Sequence, residues 1–450
     1  MIREDRYGLL TSSTETEAIH ALEEAVHGVG AHRPNAATAL GRAISLDPDH
    51  VAAHALKGFA CLILARKELV PDAAQALKDA RSALRRRDGG TRDERVLVDA
   101  LSLALDGYFG LASDKLDAGF ADRPAAFLPF KLSHSLRFMI GDGPGMLAAS
   151  RRMLGAWSED NEAAGFLLGC HAFALEESGA YAEAEAAGRQ AVSLQREDAW
   201  GMHAVGHVYE MSGDAEAGIS WLESGRGDWS RCNNFSFHMA WHLGLLHLER
   251  GEHDQVLQLY DEDVRPEQTD DFRDVANAVS LLWRLEHSGA AVGRRWEELA
   301  EIARRRAQDT SLMFAVLHNL LALVASGDEA NAALTLQSIS ERAKGEADQS
   351  RVAAEIGLPL ARLISDLMPG ACRDGLPAQE TRLTLDDLLG RLPRIGGSNA
   401  QRDVFVLALA DHAARRGDEL SLARIKRARN RLKAEDNLLE AVGRHAARMA

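Results

Sequence analysis

Glycines at recurring positions between helix-like segments constrain the fold of this chain more than any other feature. Each of them ends an apolar, helix-forming stretch and precedes a short polar step and a second helical stretch. These turn glycines are Gly107, Gly179, Gly213, Gly251, Gly327 and Gly417. Glycine readily takes the left-handed backbone conformation that ends a helix and lets the chain turn into an antiparallel partner. The pattern therefore predicts a series of helix pairs with a positive φ at each turn.

The spacing of the turn glycines indicates the type of helix pair. Gly179 and Gly213 are 34 residues apart, which is the tetratricopeptide period, and Gly213 and Gly251 are 38 apart. Upstream, Pro48 should separate a helix that ends at Leu46 from one that starts near residue 50. We therefore expect one all-α, tetratricopeptide-like helix-pair superhelix (an α-solenoid) over residues 1–450, either open or closed around a central pocket. Residues 366–397 are less regular and could form a break or a lid.

Composition limits the partners and the compartment. Aromatic residues are only 6% of the chain, and no alternating β-branched run marks a strand. The formal charge of −15 argues against a nucleic-acid or anionic-membrane surface, and no apolar run reaches transmembrane length. The four cysteines form no CxxC motif, which suits a reducing compartment. We expect a cytoplasmic protein without nucleic-acid or membrane partners, with homodimerisation through the solenoid ends as one option.

Histidines concentrate in the middle of the chain and form two HxxxH pairs, His203 with His207 and His238 with His242. A spacing of four places both members of a pair on one helix face, and Glu210 extends the first face. His318 and His242 each lie nine residues before their turn glycine. The first helices of tetratricopeptide pairs line the concave surface of the superhelix. The spacing thus predicts a histidine-lined concave pocket, with core packing of these rings as the alternative.

Two kinds of chemistry remain open for such a pocket. The HxxxH pairs could hold a divalent metal, with His203, His207, His238 and His242 as its ligands. The pattern is not HExxH, so the glutamate that serves as general base in HExxH metalloproteases is missing. Metal-free acid–base catalysis would need a carboxylate beside a histidine, for which Glu210, Glu176 and Asp403 are candidates. The cofactor is therefore either none or a divalent metal.

Two further segments carry polar residues at helical spacing. In GGSNAQRDVF (396–405), Ser398 and Asn399 are good N-caps, and Asn399, Arg402 and Asp403 share one helix face. Arg402 could bind a carboxylate or phosphate, or it could belong to a capped helix with a local Arg–Asp pair. In KLSHSLRF, Lys131 and His134 lie on one helix side. No GxSxG, P-loop or GxGxxG motif occurs.

These segments resemble the tetratricopeptide repeat protein 38 family. KLSHSLRF is similar to its KFSHDAYF-type segment, and DAWGMHAVGHVYEM to its DAW-x-x-H-x-x-x-H-x-x-E-M segment. FHMAWHLGLL is similar to its H-x-x-W-H core, which contains Trp241, and GGSNAQRDVF matches essentially letter for letter. The resemblance covers nearly the whole chain and implies an all-α repeat fold without implying a reaction. It favours one shared site for the matched histidines, Arg402 and Asp403.

We therefore expect a tetratricopeptide-like protein that binds a small anionic, carboxylate-type molecule in its concave pocket. If it is an enzyme, a lyase or a hydrolase is the plainest reaction. The predicted catalytic residues are His203, His207, His242, His318, Glu210 and Asp403. The predicted substrate-binding residues are Lys131, His134, His238, Trp241, Asn399 and Arg402. The alternative is a non-catalytic scaffold that binds a peptide or partner protein in its groove.

Overall fold

The computed structural model describes residues 2–157, 161–368, 385–430 and 437–449, and these residues are predominantly α-helical. Contacts between them divide the chain into two compact units. The first unit comprises Met1–Val205 and Ser224–Phe235, and the second comprises Gly206–Glu223 and Ser236–Ala450. The protein belongs to the all-α, tetratricopeptide-like class, as the sequence predicts.

Helices follow one another through short turns along the whole described chain. The first ten helices, all in the first unit, are α1 (Thr16–Gly30), α2 (Ala36–Leu46), α3 (Val51–Ile63), α4 (Val70–Arg86), α5 (Arg92–Leu105), α6 (Phe109–Gly119), α7 (Phe127–Met139), α8 (Gly143–Leu154), α9 (Ala164–Glu177) and α10 (Tyr181–Leu194). The next five are α11 (Ala199–Ser212), α12 (Ala215–Ser224), α13 (Arg226–Trp229), α14 (Phe235–Glu249) and α15 (His253–Leu259).

The remaining helices lie in the second unit. They are α16 (Phe272–Ser288), α17 (Arg295–Arg306), α18 (Met313–Ala325), α19 (Glu329–Arg342), α20 (Asp348–Val352), α21 (Leu358–Ser365), α22 (Leu385–Arg391), α23 (Asn399–Arg415), α24 (Glu419–Arg429) and α25 (Asn437–Met449). Short π-helical or 3-10 turns adjoin some of these helices, at Lys67–Leu69, Tyr260–Val264, Ala353–Gly357 and Leu392–Ile395. None of the described helices is both long and apolar enough to cross a membrane.

The turn glycines adopt the conformation that the sequence predicts. Their φ angles are 86° for Gly107, 79° for Gly179, 76° for Gly213, 73° for Gly251, 70° for Gly327 and 66° for Gly417. The junction at Pro48 is also confirmed, because α2 ends at Leu46 and α3 begins at Val51. Of the irregular segment at 366–397, residues 369–384 lie outside the described residues, whereas Leu385–Arg391 is helical.

Helices that are neighbours in sequence pack against each other within the first unit, as α1 with α2, α3 with α4 and α9 with α10. Small residues permit this close approach. On α4, for example, the buried positions Ala73, Ala76, Ala80 and Ala83 recur every three or four residues. The buried stripe of each helix thus faces its partner, and no single pair buries its apolar surface alone.

An extended N-terminal strap, residues 5–13, is fastened to the first unit by polar contacts. It includes one strand of a two-stranded antiparallel sheet between Arg3–Glu4 and Leu10–Thr11. The amide of Leu10 donates to Asp93 at 2.9 Å, and the hydroxyl of Thr11 donates to Glu94 at 3.1 Å. Both carboxylates belong to the first turn of α5, which therefore anchors the strap.

In the second unit, α16 is the central element. It packs against α17, α18, α23 and α25. Thirteen of its residues are buried, including the polar residues Asn277, Ser280 and Arg284. A helix enclosed on several sides can hold polar side chains only where other buried groups satisfy them. The candidate site is built around these residues.

Candidate functional site

The predicted site residues fall into two groups, one within each unit. The second unit contains most of them, around an imidazole cluster that we define as His207, His238 and His242. One ring nitrogen of each of these histidines lies within 4.8 Å of those of the other two. The relative exposure of the three is 0%, 9% and 1%. His203, the first member of the other HxxxH pair, lies one turn earlier than His207 on α11.

Helical spacing explains how the imidazole cluster forms. His238 and His242 are one turn apart on α14, so their rings lie on the same face. His207 comes from α11, and its ring centroid lies 4.4 Å from that of His242. Trp241 fixes the α14 rings from the side: its indole stacks on His238 at 5.2 Å and donates Nε1–H to Ser280 Oγ at 3.0 Å.

The outer ring nitrogens of two cluster histidines face oxygen acceptors. His242 Nδ1 lies 3.0 Å from Glu210 Oε2, and His238 Nδ1 lies 3.1 Å from Asn277 Oδ1. An ionised carboxylate only accepts hydrogen bonds, so Nδ1 of His242 donates. The Asn277 oxygen also faces the Gln401 amide at 3.5 Å. His242 therefore carries a proton on Nδ1, whereas His238 fits either tautomer, because the Asn277 amide can present its oxygen or its NH2 group to the ring.

The inner nitrogens of the same two rings face each other. His242 Nε2 lies 3.2 Å from His238 Nε2. The Nε2 of His242 has a lone pair, because that ring carries its proton on Nδ1. If His238 carries its proton on Nε2, the contact is a hydrogen bond; if both rings carry their proton on Nδ1, the two lone pairs can share a metal ion. Two nitrogens bound tetrahedrally to zinc lie about 3.3 Å apart, which agrees with the observed separation.

Burial and neighbouring positive groups keep two of the cluster rings, His238 and His242, neutral. Burial, followed by the proximity of the other cluster rings, holds the pKa of His238 and of His242 well below the usual 6.5. Neutral imidazole is the form that binds metal ions. Both rings can therefore bind a metal ion without first releasing a proton.

Arg284 connects the imidazole cluster to α23. Its guanidinium donates to the backbone oxygens of Ser280 at 3.1 Å and Ala400 at 2.9 Å, and to Asp403 at 3.4 Å. Its positive charge contributes to the lowered pKa of His242. Together with the Gln401–Asn277 contact, Arg284 brings the segment 396–405 against α16 beside the cluster.

Arg402 and Asp403 have partners other than the cluster histidines. The Arg402 guanidinium donates to Asn399 Oδ1 at 2.7 Å and to the carbonyl of Gly397, at the N-terminus of its own helix. Asp403 accepts hydrogen bonds from Arg284 and Arg429. Ser398, in contrast, is the N-cap of α23 with a complete capping box, as its residue type predicts. Substrate binding by Arg402 and Asn399 and catalysis by Asp403 stay predictions.

His318 occupies α18 between the rings of Phe314 and Phe405, at centroid distances of 4.4 and 4.6 Å. Its Nδ1 donates to the carbonyl of Phe314 at 2.8 Å, and its buried Nε2 has no hydrogen-bond partner among the described residues. Burial lowers the pKa of His318 to about 3. The ring is therefore neutral, with a bare acceptor nitrogen.

The first unit holds the other predicted residues, Lys131 and His134 on α7. The Lys131 ammonium lies 3.6 Å from the Cys170 thiol and 4.9 Å from the ring centroid of Trp200. His134 contacts the same indole edge-on at 6.2 Å. His203 packs on Trp200 as well, at 4.9 Å. Aromatic contacts thus dominate this group.

A surface cavity of about 170 Å³ borders Glu210 in the second unit. Its other lining residues include Tyr209, Leu246 and Glu249. Glu210 therefore lines the cavity and also accepts a hydrogen bond from His242 through one carboxylate oxygen.

Sequence reasoning missed Asn277, Ser280 and Arg284. These residues lie three and four positions apart on α16, so they share one face of an otherwise apolar helix. This polar stripe could have identified them from the sequence, because polar side chains buried on a helix usually form hydrogen bonds with other buried groups.

The helix pairs and their turn glycines define an all-α, tetratricopeptide-like repeat protein. No protein-family model matches the chain. Among solved structures, the chain is similar to yeast Tom70, with 13% identity, a TM-score of 0.38 and coverage of 96% of this chain and 89% of that one. It is also similar to the TPR domain of P58(IPK), with 13% identity, a TM-score of 0.21 and coverage of 77% and 88%.

Proposed function

We propose that this protein holds a divalent transition metal at the imidazole cluster and uses it to act on a small anionic molecule. One observation carries the proposal: the inner nitrogens of His238 and His242 face each other at 3.2 Å while their outer nitrogens are held by acceptors. With their outer nitrogens held, the two rings present their inner nitrogens to a common point, and neutral imidazole is the form that binds a metal ion.

The donor set fits a metal such as zinc. His207, His238 and His242 would supply three imidazole nitrogens, which suit zinc, copper, iron or nickel. Glu210 and Asn277 would act as the partners that orient ligating histidines through their other nitrogen. Three protein ligands leave one position for water or substrate, which is the arrangement of catalytic zinc sites. A role for His203 as a fourth ligand remains the sequence-based prediction.

Hydrolysis is the reaction class that this donor set suits best. A metal with an open position lowers the pKa of bound water to near 7 and so supplies hydroxide at neutral pH. Arg284 adds a buried positive charge close to His242, which favours an anionic substrate such as a carboxylate. The cavity beside Glu210 would admit a small molecule of this kind. A metal-free lyase would instead use these histidines as acid and base.

Membership of the tetratricopeptide repeat protein 38 family is part of the proposal. Several residues that carry the resemblance have roles in the proposed site: His207, Glu210 and His242 in the cluster and Trp241 beside it. The family would then be defined by a metal site as well as by its helix pairs.

The test is metal content measured on untagged protein. We expect about one metal ion per chain in the wild type, and visible absorption bands of a nitrogen-bound ion when cobalt is added to metal-free protein. His238→Phe and His242→Phe keep an aromatic ring but remove the ligand, and both should lose the metal. His318→Phe is the matched control, because it changes a buried histidine on another helix of the same unit.

Either of two results would overturn the metal proposal. One is wild-type protein that binds neither zinc nor cobalt. The other is metal that is retained in both cluster variants, provided that circular dichroism shows unchanged helix content. A metal-free protein would leave a shared proton between the two rings and would favour the scaffold alternative.

A further inference from the structure

We infer that the first unit contains a binding site for a small monocarboxylate, formed by Lys131, His134 and Trp200, which favours ligands with a hydroxyl beside the carboxylate. This site uses none of the imidazole cluster residues. The inference rests on buried polar groups that lack adequate hydrogen-bond partners among the described residues.

The Lys131 ammonium is the first of these groups. The residue is only 6% exposed. Its contacts are the Cys170 thiol at 3.6 Å and the face of the Trp200 indole at 4.9 Å, with no oxygen acceptor among the described residues. Burial raises the pKa of Cys170 to about 11, so this partner is a neutral thiol and a weak acceptor. Three strong donors thus face a single weak acceptor and a ring.

His134 and Trp200 supply the other groups. His134 is 2% exposed, and neither of its ring nitrogens has a hydrogen-bond partner among the described residues. The Trp200 Nε1–H is also buried and lacks an acceptor there. Buried polar groups in native proteins are usually hydrogen-bonded, so groups left open in one place indicate a missing partner.

The open groups lie together. Lys131 and His134 are three residues apart on α7, which places them on the same helix side. Both contact the Trp200 ring, the lysine at 4.9 Å and the histidine at 6.2 Å. Phe173 closes the aromatic wall, with its ring 4.9 Å from Trp200 and 6.3 Å from His134. The result is an ammonium and an imidazole against one indole, with the Phe173 ring beside them.

The chemistry of these groups defines the ligand class. The ammonium, the imidazole N–H and the indole N–H are all donors, and the charge of the ammonium favours a carboxylate oxygen over a neutral acceptor. The second imidazole nitrogen is an acceptor and suits a ligand hydroxyl. Asp198 is also buried; burial raises its pKa to about 7, whereas Lys131 and the amides of Gly201 and Trp200 act to lower it. A ligand with one negative charge adds the least to the charge already buried in this unit, so a monoanion is favoured.

Lactate and propionate provide a matched pair of probes, because they differ only by the hydroxyl. Calorimetry and thermal unfolding would be carried out with chelator present, so that failure of the proposed metal site would not affect the result. We expect lactate to bind about tenfold more tightly than propionate, and to raise the unfolding temperature in a concentration-dependent way.

Two variants and one control test the residues. Lys131→Met keeps the length of the side chain and should abolish binding of both probes. His134→Phe should bind lactate and propionate equally. Lys57→Met, at an exposed lysine on α3, should behave as the wild type. If Lys131→Met does not fold, wild-type protein with ¹⁵N-labelled histidine gives the answer, because lactate should shift the His134 ring nitrogen signals.

The inference is wrong if lactate leaves those nitrogen signals unchanged at saturating concentration. It is also wrong if Lys131→Met folds and binds lactate with wild-type affinity. Equal binding of sulfate and lactate would contradict the monocarboxylate assignment, since sulfate carries two charges.

Discussion

Glu210 Oε2 lies 3.0 Å from His242 Nδ1, between α11 and α14, and both side chains are at most 8% exposed. A carboxylate at this position selects the tautomer with the proton on Nδ1 and holds the ring in one orientation. The same contact makes the inner nitrogen of His242 a better electron-pair donor. In the proposed metal site, Glu210 would orient His242 without contacting the metal ion itself.

Glu210→Gln should weaken zinc binding about 10- to 100-fold, which is the typical effect of removing such a partner. Competition with a chromophoric chelator measures the affinity. Glu216→Gln is the control, because Glu216 is an exposed residue on α12. Equal zinc affinity in both variants would mean that Glu210 does not support a ligand.

Asn277→Leu should lower the free energy of unfolding by about 1–3 kcal/mol, because it leaves His238 Nδ1 and the Gln401 amide buried without their shared acceptor. Urea denaturation measures this loss. Asn331→Leu, at a partly exposed residue in the first turn of α19, is the comparison. A smaller effect at Asn277 than at Asn331 would contradict the assignment of the hydrogen bonds.

Gly397→Ala should destabilise the protein more than Gly417→Ala. Both glycines have positive φ, at 76° and 66°, which costs an alanine about 1–2 kcal/mol. A Cβ at Gly397 would also lie 2.4 Å from the ring of Phe314, whereas nothing lies within 4 Å at Gly417. The overlap should add roughly 1–3 kcal/mol at Gly397 in urea denaturation. Equal losses would show that Phe314 can move aside.

Asp5→Asn should change how stability depends on pH. Burial raises the pKa of Asp5 from 3.8 to about 7, despite the amide hydrogen bonds from Leu9 and Tyr7. The folded state therefore binds the proton more tightly than the unfolded state. Stability from this group is full below about pH 4, falls as the pH rises to about 7, and is then constant, a total of up to about 4 kcal/mol.

The asparagine variant lacks this dependence and keeps an oxygen for both amides. Its stability relative to wild type should therefore increase from pH 4 to pH 7, as measured by urea denaturation at several pH values. Asp106→Asn, at an exposed aspartate, should run parallel to the wild type. A constant difference between Asp5→Asn and wild type across this range would show that Asp5 is ionised throughout.

The helix pairs were predictable because their signals are local. A glycine at a helix end and a proline at a junction act through the backbone of a few residues, and Gly179, Gly213 and Pro48 all behave as expected. The HxxxH spacing likewise predicted that His238 and His242 share a face, because that follows from the helix itself.

The partners of the site residues were not predictable in the same way. His238 meets Asn277, 39 residues away, and Arg284 meets Asp403, 119 residues away. Such contacts depend on how helices pack, which a single sequence does not specify. Arg402 illustrates this limit. A guanidinium can bind a carboxylate ligand or a neighbouring amide oxygen, and the sequence alone does not show that Arg402 contacts the Asn399 side chain.

The N-terminal strap has a consequence for the order of events during synthesis. Thr11 and its acceptor Glu94 are 83 residues apart, so the strap leaves the ribosome long before its anchor exists. The carbonyl of Tyr7 accepts a hydrogen bond from the amide of Phe127, which is synthesised later still. Closing such long loops is entropically costly and comes after local helix formation. Residues 5–13 should thus become fixed late in the folding of the first unit, because their contacts can form only after α5 and α7 have been synthesised.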